Sequence, residues 1–226
     1  MATNLILSGG VAHDFPVTSA ALAEVMAEVG VESTVTEDIA GALRDHPAVD
    51  LITVNALRCC MDGGWSASQE GGAAFRLPPV ARAALLAHVE RGGGLLAMHS
   101  AAICFDDWPH WRRMLGAAWR WGTSHHPPCG PADIHLRGDH PIVSGLADFT
   151  LTDEVYSDLS VVPGVVPLAS SKGEPLVWAQ QLYRGRLVYD ALGHDARSYE
   201  SPGHRALIHS ATLWLLNRPP HERPAG

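Results

Sequence analysis

The sequence predicts an α/β fold, in which a parallel β-sheet is covered by helices on both faces. Predicted strands and helices alternate along the first half of the chain. The central strands are uninterrupted apolar runs, which is typical of strands that are buried on both faces. The helices between them carry prolines at their starts and glycines at their ends. The 226 residues are enough to build one such domain with a substantial core.

Hydrophobic spacing gives the elements of the first half in order. An apolar strand over 3–9 ends at Gly9-Gly10, and a helix opening at Pro16 has apolar residues about every 3.6 positions until Gly30. The later elements are an alternating strand over 32–38, an apolar strand over 49–57, a helix over 78–94 and the strand "GLLAMHS".

The second half is expected to consist of short strands joined by tight turns. A short helix is expected in "WPHWRRMLGA", and "AAWRWGTSHHPP" and "ADIHLRG" are expected as excursions near the sheet edge. A closing helix over 201–216 has Ser201 as its cap and Pro202 in its first position. We found no repeat or linker and expect one domain over 1–218, followed by a frayed C-terminal tail over 219–226. The short strands are expected in "DFTLTDEVY", "VVPLASS", "PLVWAQQL" and "GRLVYDAL".

Composition excludes several classes of function. The net charge is −8 and the sequence has no basic cluster, so we expect neither a nucleic-acid partner nor binding to an anionic membrane surface. We expect no transmembrane segment and no signal peptide. The four cysteines show no disulfide or zinc-ribbon spacing, which favours free thiols in a reducing cytoplasm.

Histidine is frequent, with 13 in the chain, and three histidines follow predicted strands. In an open parallel sheet the ligand site lies beyond the carboxyl ends of the strands, where we expect His13, His99 and His194. Imidazole and carboxylate bind zinc and similar divalent ions, and they also act as acids and bases near neutral pH. The sequence therefore leaves open both a metal site and a metal-free site for acid–base catalysis. Neighbouring loops add the candidates His125, His126, His140, Asp153, Glu154 and His204.

Structural explanations compete with each of these candidates. A lone loop histidine is often a hydrogen-bonded structural residue, Asp153-Glu154 could cap a turn, and tryptophans often pack in a core. The H-x-H, H-E-x-x-H, G-x-S-x-G and phosphate-loop patterns are all missing from the sequence. Cys104 lies in the apolar stretch "AAICF", which favours an inert buried thiol.

Several stretches carry a family resemblance over nearly the whole chain. In order they are "SGGVAHDF", "GGGLLAMHSAAICFDDWPHWRRMLGA", "WGTSHHPP", "DHPIVSGLADFTLTDEVY", "PLVWA", "GRLVYDALGHDARSYESPGHRALI" and "WLL". Together they resemble the ThuA-like (trehalose utilisation) family of the class I glutamine amidotransferase-like superfamily. The resemblance implies a three-layer, flavodoxin-like fold with a mostly parallel sheet and helices on both faces. It also implies a cytoplasmic protein of carbohydrate metabolism, often found beside sugar dehydrogenases that make 3-keto-glycosides, but no particular reaction.

The resemblance also bears on His99. Glutamine amidotransferases carry a cysteine nucleophile in an elbow after a central strand, with a partner histidine after a late strand. Here "AMHSA" occupies the elbow, so His99 stands in the nucleophile position and His194 in that of the partner. Because imidazole does not replace a thiolate in forming a glutamyl thioester, we expect no glutaminase activity.

From these observations we predict a sugar-processing hydrolase, lyase or isomerase. Its catalytic residues would be His99, His194, His13 and Glu154, and they would move a proton at a sugar or 3-keto-glycoside. The chemistry requires no cofactor, because the sequence has no fixed metal-ligand spacing; a divalent metal such as zinc, held by His13, His99 and His194, is the alternative. Substrate contacts are assigned to Gln69, Trp108, His125, Asp195, Arg197 and Tyr199, with Trp65 and Trp121 as further stacking candidates.

Two alternatives of other classes remain at this point. One is a non-catalytic sugar-binding or regulatory protein, and the other is a structural dimerisation domain. The predicted partner is a small sugar or sugar derivative, and a homodimer is left open.

Overall fold

The fold is built on one nine-stranded sheet with helices packed against it. The structure is a computed structural model, and it describes residues 1–45, 48–60 and 74–218. The strands are β1 (Ala2–Gly10), β2 (Val31–Thr36), β3 (Leu51–Leu57), β4 (Gly94–Met98), β5 (Gly130–Leu136), β6 (Phe149–Asp153), β7 (Pro167–Ser171), β8 (Glu174–Leu182) and β9 (Gly185–Asp190). The helices are α1 (Phe15–Ala27), α2 (Ile39–Arg44), α3 (Pro79–Glu90), α4 (Pro109–Leu115), α5 (Ala196–Glu200) and α6 (Pro202–Leu215), with a 3₁₀ turn over His99–Ala102.

The sheet is mixed, which corrects the expectation of a mostly parallel sheet. Its strand order is β2-β1-β3-β4-β9-β8-β7-β5-β6. Four neighbouring pairs are parallel (β1–β2, β1–β3, β3–β4 and β4–β9), and the four pairs from β9 to β6 are antiparallel. A parallel pair needs a long crossover, whereas an antiparallel pair can be joined by a two-residue turn. Such turns lie at Lys172-Gly173 and Tyr183-Arg184, so the strands on either side of them pair antiparallel.

The parallel half follows the sequence prediction closely. Strand β3 is buried along its whole length, as is β4, and both lie in the middle of the sheet. The α3 and α6 helices begin with proline in the first turn, as expected. The position before α6 is Ser201, but its hydroxyl donates to the Thr150 carbonyl and does not cap the helix.

Two elements differ from the expectation. The alternating strand ends at Thr36, because the side chain of Asp38 accepts the Gly41 N–H and so caps the α2 helix, which was not anticipated. The segment "ADIHLRG" is not an excursion but strand β5, which pairs with both β6 and β7. The expected C-terminal tail over 219–226 lies outside the described residues.

Within the described ranges, we find no helix that has the length and apolar character needed to cross a membrane. Cys60, Cys104 and Cys129 carry free thiols.

Candidate functional site

His99 sits where the buried strand β4 ends and the 3₁₀ turn begins. Its backbone has a φ of +39°, a left-handed conformation that is uncommon for a side chain of this size. The turn is held in place by the Tyr189 hydroxyl, which donates to the His99 carbonyl at 2.8 Å. The ring Nδ1 lies 2.7 Å from the Ala191 carbonyl. Because a carbonyl only accepts, Nδ1 carries a proton, and the neutral ring therefore has its lone pair on Nε2.

His13 follows β1 and has the same tautomer. Its Nδ1 lies 3.3 Å from the Val11 carbonyl, which leaves the lone pair of the neutral ring on Nε2. Burial is the main reason that the pKa of His13 falls to about 3, and the nearby imidazoles of His99 and His194 lower it further. His13 is therefore neutral at physiological pH.

His194 follows β9, and its Nδ1 lies 3.1 Å from Oε2 of Glu154. The two atoms approach at ion-pair distance without the alignment of a hydrogen bond, and Nδ1 has no other partner in the described structure. Contact with the Glu154 carboxylate raises the pKa of His194.

Glu154 directly follows β6, and its carboxylate contacts the rings of His99 and His194. Its Oε2 is 3.7 Å from Nε2 of His99, and its side chain is 11% exposed. Burial by itself raises the pKa of Glu154, but the contacts with His194 and His99 outweigh it, so the pKa lies below its usual range. Glu154 is therefore a buried carboxylate anion at neutral pH.

The four side chains form one cluster, which we call the His/Glu cluster: His13, His99, Glu154 and His194. One potential ligand atom from each lies within 4.8 Å of all the others. The ring centroids are 5.1 Å apart for His13–His99, 4.9 Å for His13–His194 and 5.5 Å for His99–His194. Three imidazole nitrogens, Nε2 of His13, Nε2 of His99 and Nδ1 of His194, are buried there with no hydrogen-bond partner among the described residues.

This donor set suits a divalent ion such as zinc. Zinc prefers imidazole nitrogen and carboxylate oxygen in a tetrahedral arrangement. The lone pairs on His13 and His99 face into the cluster, while their other ring nitrogens donate to backbone carbonyls, as the outer partners of metal-bound histidines do. The residues present therefore fit the predicted metal, with Glu154 as a fourth ligand beside the three predicted histidines.

A buried carboxylate next to the cluster, Asp153, fixes the backbones of two of its members. Its Oδ1 accepts the N–H groups of Glu154 at 2.8 Å and of His194 at 3.1 Å. Its Oδ2 accepts the N–H of Gly193 at 2.8 Å and the hydroxyl of Ser198 at 2.5 Å. One carboxylate thus ties the end of β6 to the loop after β9.

A second buried group, His204, supports this carboxylate through Ser198. Its Nδ1 faces the hydroxyl and the carbonyl of Ser198 at 2.9 and 3.0 Å, and its Nε2 lies 3.0 Å from Oδ2 of Asp190. Since the Ser198 hydroxyl donates to Asp153, both ring nitrogens of His204 face acceptors. Burial alone lowers the pKa of His204, but Asp190 outweighs this effect and the pKa is raised. His204 is therefore a structural imidazolium and not a ligand in the cluster.

An aromatic wall, Trp119, His126 and Tyr156, borders the cluster, and of these residues the sequence had flagged only His126. The Tyr156 ring lies 4.3 Å from that of His99, and the Trp119 ring lies 5.0 Å from that of Tyr156. Nδ1 of His126 lies 3.3 Å from Oε1 of Glu154. Trp119 lies in "AAWRWG", where an aromatic residue beside the two histidines of "SHHPP" was the sequence feature that could have identified it.

The predicted substrate residues have mixed outcomes. Tyr199 is 2% exposed, which contradicts its assignment to substrate stacking. Trp108 is partly buried and contacts His110 and Arg82 instead of any member of the His/Glu cluster. His125 is exposed and lies 3.6 Å from Asp158, so its neighbour His126 is the residue that reaches Glu154.

Asp195 and Arg197 pair with each other at 2.5 Å beside the cluster. Asp195 also accepts the N–H of Arg197 at the start of α5, so this pair stabilises a turn at the rim of the site. His140 packs on Trp214. Gln69 and Trp65 lie outside the described residues.

Cys104 has a structural role. It is buried, its thiol donates to the Ala56 carbonyl at 2.9 Å, and burial raises its pKa to about 12. A thiol with this pKa is not a nucleophile at neutral pH.

Solved structures show the same fold over nearly the whole chain. A putative ThuA-like protein from Parabacteroides merdae is 18% identical with a TM-score of 0.77, and the match covers 99% of this chain and 93% of that one. A cytoplasmic protein from Salmonella typhimurium LT2 is 14% identical with a TM-score of 0.62, covering 95% and 97%. The β-galactosidase of Rahnella sp. R3 is 16% identical with a TM-score of 0.60, and the match covers 97% of this chain but 32% of the enzyme.

The family assignment rests on a separate comparison. No curated protein matches the sequence. The profile of the ThuA family, described as trehalose utilisation, matches residues 4–215. The chain therefore belongs to the ThuA family.

Proposed function

We propose that the protein is an enzyme of carbohydrate metabolism that moves a proton at a sugar or 3-keto-glycoside, with a divalent ion such as zinc held by the His/Glu cluster. The observation that carries the proposal is the convergence of three buried imidazole nitrogens, none of which has a hydrogen bond to a described residue, beside the Glu154 carboxylate. Buried polar atoms normally have partners, and their absence among the described residues points to a ligand.

Electrostatics favours a cation in this place. The buried Nε2 lone pairs of His13 and His99 lie close to each other and to the charged Glu154, an arrangement that is unfavourable unless a positive charge lies between them. A proton shared by His194 and Glu154 would neutralise part of this charge, but it would leave the lone pairs on His13 and His99 without a partner. A divalent ion satisfies all four groups at once.

The family description and the wall beside the cluster support a sugar substrate. The ThuA family is described as trehalose utilisation. The wall offers partly buried Trp119 and exposed His126, and aromatic faces of this kind pack against the apolar face of a sugar ring. The structural relative from Salmonella typhimurium LT2 is described as a cytoplasmic protein, which supports a cytoplasmic location for this chain. Neither nucleic acid nor membrane is part of the proposal, and the oligomeric state, including a homodimer, is left to measurement.

Each part of the site has a chemical task in this proposal. When bound, the ion would have to accept a substrate carbonyl oxygen in addition to its four protein ligands, and it would then supply a Lewis acid that increases the acidity of the adjacent C–H. His13, His99 and His194 hold the ion, and Asp153 keeps His194 and Glu154 in register. With Cys104 buried and His99 in the elbow, the described site lacks the cysteine nucleophile that glutamine amidotransferases use.

The proposal is tested by hydrogen–deuterium exchange at a 3-keto-glucoside. Methyl 3-keto-α-glucopyranoside is incubated in D₂O with the zinc-loaded protein, and loss of the proton signals at C2 and C4 is followed by NMR. We expect exchange above the protein-free rate, and its loss in a His99→Ala variant that remains folded. Binding of this sugar without exchange would contradict the enzymatic proposal and identify a non-catalytic sugar-binding protein.

A further inference from the structure

We infer that His126 is the catalytic base of this site, with the substrate approaching from the side of the aromatic wall. The inference rests on the proposed function, because it assigns the group that takes the proton in that reaction. It begins from the geometry around Glu154. Oε2 of this carboxylate faces His99 and His194 inside the cluster, and Oε1 faces His126 outside it.

The contacts of His126 fix which nitrogen can accept a proton. Nδ1 lies 3.0 Å from the Pro127 carbonyl and 3.3 Å from Oε1 of Glu154. Both partners are acceptors, so Nδ1 carries the proton and the neutral ring has its lone pair on Nε2. The Pro127 carbonyl forms the hydrogen bond with Nδ1, and the Glu154 carboxylate lies at ion-pair distance from the same nitrogen. Holding one imidazole nitrogen as a donor while the other works as a base is the principle of catalytic triads.

The other three imidazoles are not available for this task. With an ion in the cluster, the lone pairs of His13, His99 and His194 are committed to it, and their second nitrogens carry protons. The exposed fractions of the side chains also favour His126 as the base. The His126 side chain is 38% exposed, whereas that of His194 is 22% exposed and that of His99 is 1% exposed. Of the imidazoles that contact Glu154, His126 is the most open to an incoming substrate.

The two residues just before His126 are anchored to the loop that follows β6. His125 and Ser157 exchange two backbone hydrogen bonds at 3.1 and 2.8 Å, and the Ser124 hydroxyl donates to the Asp158 carbonyl at 2.8 Å. The His126 ring lies 5.8 Å from Tyr156 and 6.1 Å from Trp119. A base must be held within hydrogen-bond reach of the proton that it removes, and this anchoring supplies that order.

The step balances without a further reactant. Nε2 of His126 takes the proton from the carbon beside the ketone, and the C–H electron pair becomes the new C=C bond of an enolate. The C=O π pair moves onto the oxygen, which faces the His/Glu cluster. Return of a proton, or of a deuteron from D₂O, from His126 to the same carbon restores the ketone.

Three variants separate a base from a residue that merely holds Glu154. In His126→Asn the side-chain amide can still present an N–H group toward Glu154, but it offers no basic nitrogen in place of Nε2. His126→Ala removes both functions. His125→Ala changes the exposed neighbour and is the matched control. Exchange of methyl 3-keto-α-glucopyranoside in D₂O is measured for each together with bound zinc per chain.

General-base catalysis contributes roughly 10²–10⁴-fold, so we expect His126→Asn and His126→Ala to lose at least about 100-fold in exchange rate while keeping their zinc. His125→Ala should stay within about 2-fold of the wild type, because its ring does not contact the cluster. Exchange retained in His126→Asn but lost in His126→Ala would overturn the inference, and so would loss of zinc in parallel with exchange. If the wild-type protein binds zinc and exchanges no proton, the proposed function itself fails, which is a distinguishable result.

Discussion

Replacing Asp153 with asparagine tests the buried clamp that joins two members of the His/Glu cluster. The carboxylate accepts four hydrogen bonds, two at each oxygen. An amide has one oxygen, so one pair of donors loses its acceptor. The less costly orientation turns the NH₂ group toward Ser198, whose hydroxyl can accept, and leaves the N–H of Gly193 without a partner.

The cost follows from these contacts. An orphaned buried donor costs about 1–3 kcal/mol, and the remaining hydrogen bonds lose the strength that a charged acceptor gives them. We therefore expect the free energy of unfolding to fall by about 3 kcal/mol, which for a domain of this size lowers the Tm by roughly 6–12 °C. Zinc affinity should fall about 10–100-fold, the usual effect of losing an outer partner of metal ligands.

Circular dichroism during thermal and urea unfolding measures the stability change, and calorimetric titration measures zinc binding. Asp195→Asn is the matched control. That carboxylate lies at the rim of the site, and asparagine caps a helix as well as aspartate does, so its effect should stay within about 1 kcal/mol. An Asp153→Asn protein with the stability and the zinc affinity of this control would refute the clamp.

Four further predictions concern the surroundings of the site. The raised pKa of His204, caused by Asp190, gives a stabilisation that is complete below the ordinary histidine pKa of 6.5 and is lost as the pH rises through the folded value. In urea unfolding, the free energy of unfolding of the wild type should therefore fall from pH 6 to pH 9, and this fall should be smaller in His204→Gln. A difference between the two proteins that does not change with pH would contradict this. The purified protein should release no ammonia from glutamine. Cys104→Ser should exchange the sugar protons at the wild-type rate, because the serine hydroxyl still donates to the same carbonyl. A Cys104→Ser protein that is folded but inactive would restore Cys104 as a candidate nucleophile. Gly193→Ala should destabilise by about 1–3 kcal/mol, because the residue has a φ of +108° and the new Cβ would lie 2.6 Å from the Tyr199 hydroxyl oxygen; a neutral effect in thermal unfolding would show that the loop adapts.

The parallel half of the fold could be predicted from the sequence because local residue patterns determine its strands and helices. Apolar strands such as β4, together with proline starts and glycine stops, identify buried strands and helices without any knowledge of their neighbours. The antiparallel half depends on which strands meet across the sheet. Tight turns between short strands were expected from the sequence, yet the position of β5 between β6 and β7 is a long-range result that the spacing of residues does not encode.

The same division applies to the candidate site. One topological rule, that ligands lie beyond the carboxyl ends of parallel strands, was enough to predict that His13, His99 and His194 lie together. That rule does not rank two adjacent exposed histidines. His126 reaches Glu154 and His125 does not, because the backbone pairing of His125 with Ser157 sets the direction of the next side chain. Tyr199 was misplaced for a similar reason, since the packing that buries its ring against His204 joins separate helices.

The most direct test of the metal centre is the position of a bound ion. Crystals grown with one equivalent of Zn²⁺ per chain are measured at the zinc absorption edge, and an anomalous difference map locates the ion. We predict a single strong peak at about 2.0–2.2 Å from Nε2 of His13, Nε2 of His99, Nδ1 of His194 and a carboxylate oxygen of Glu154. A map with no peak among these four side chains would contradict the metal centre.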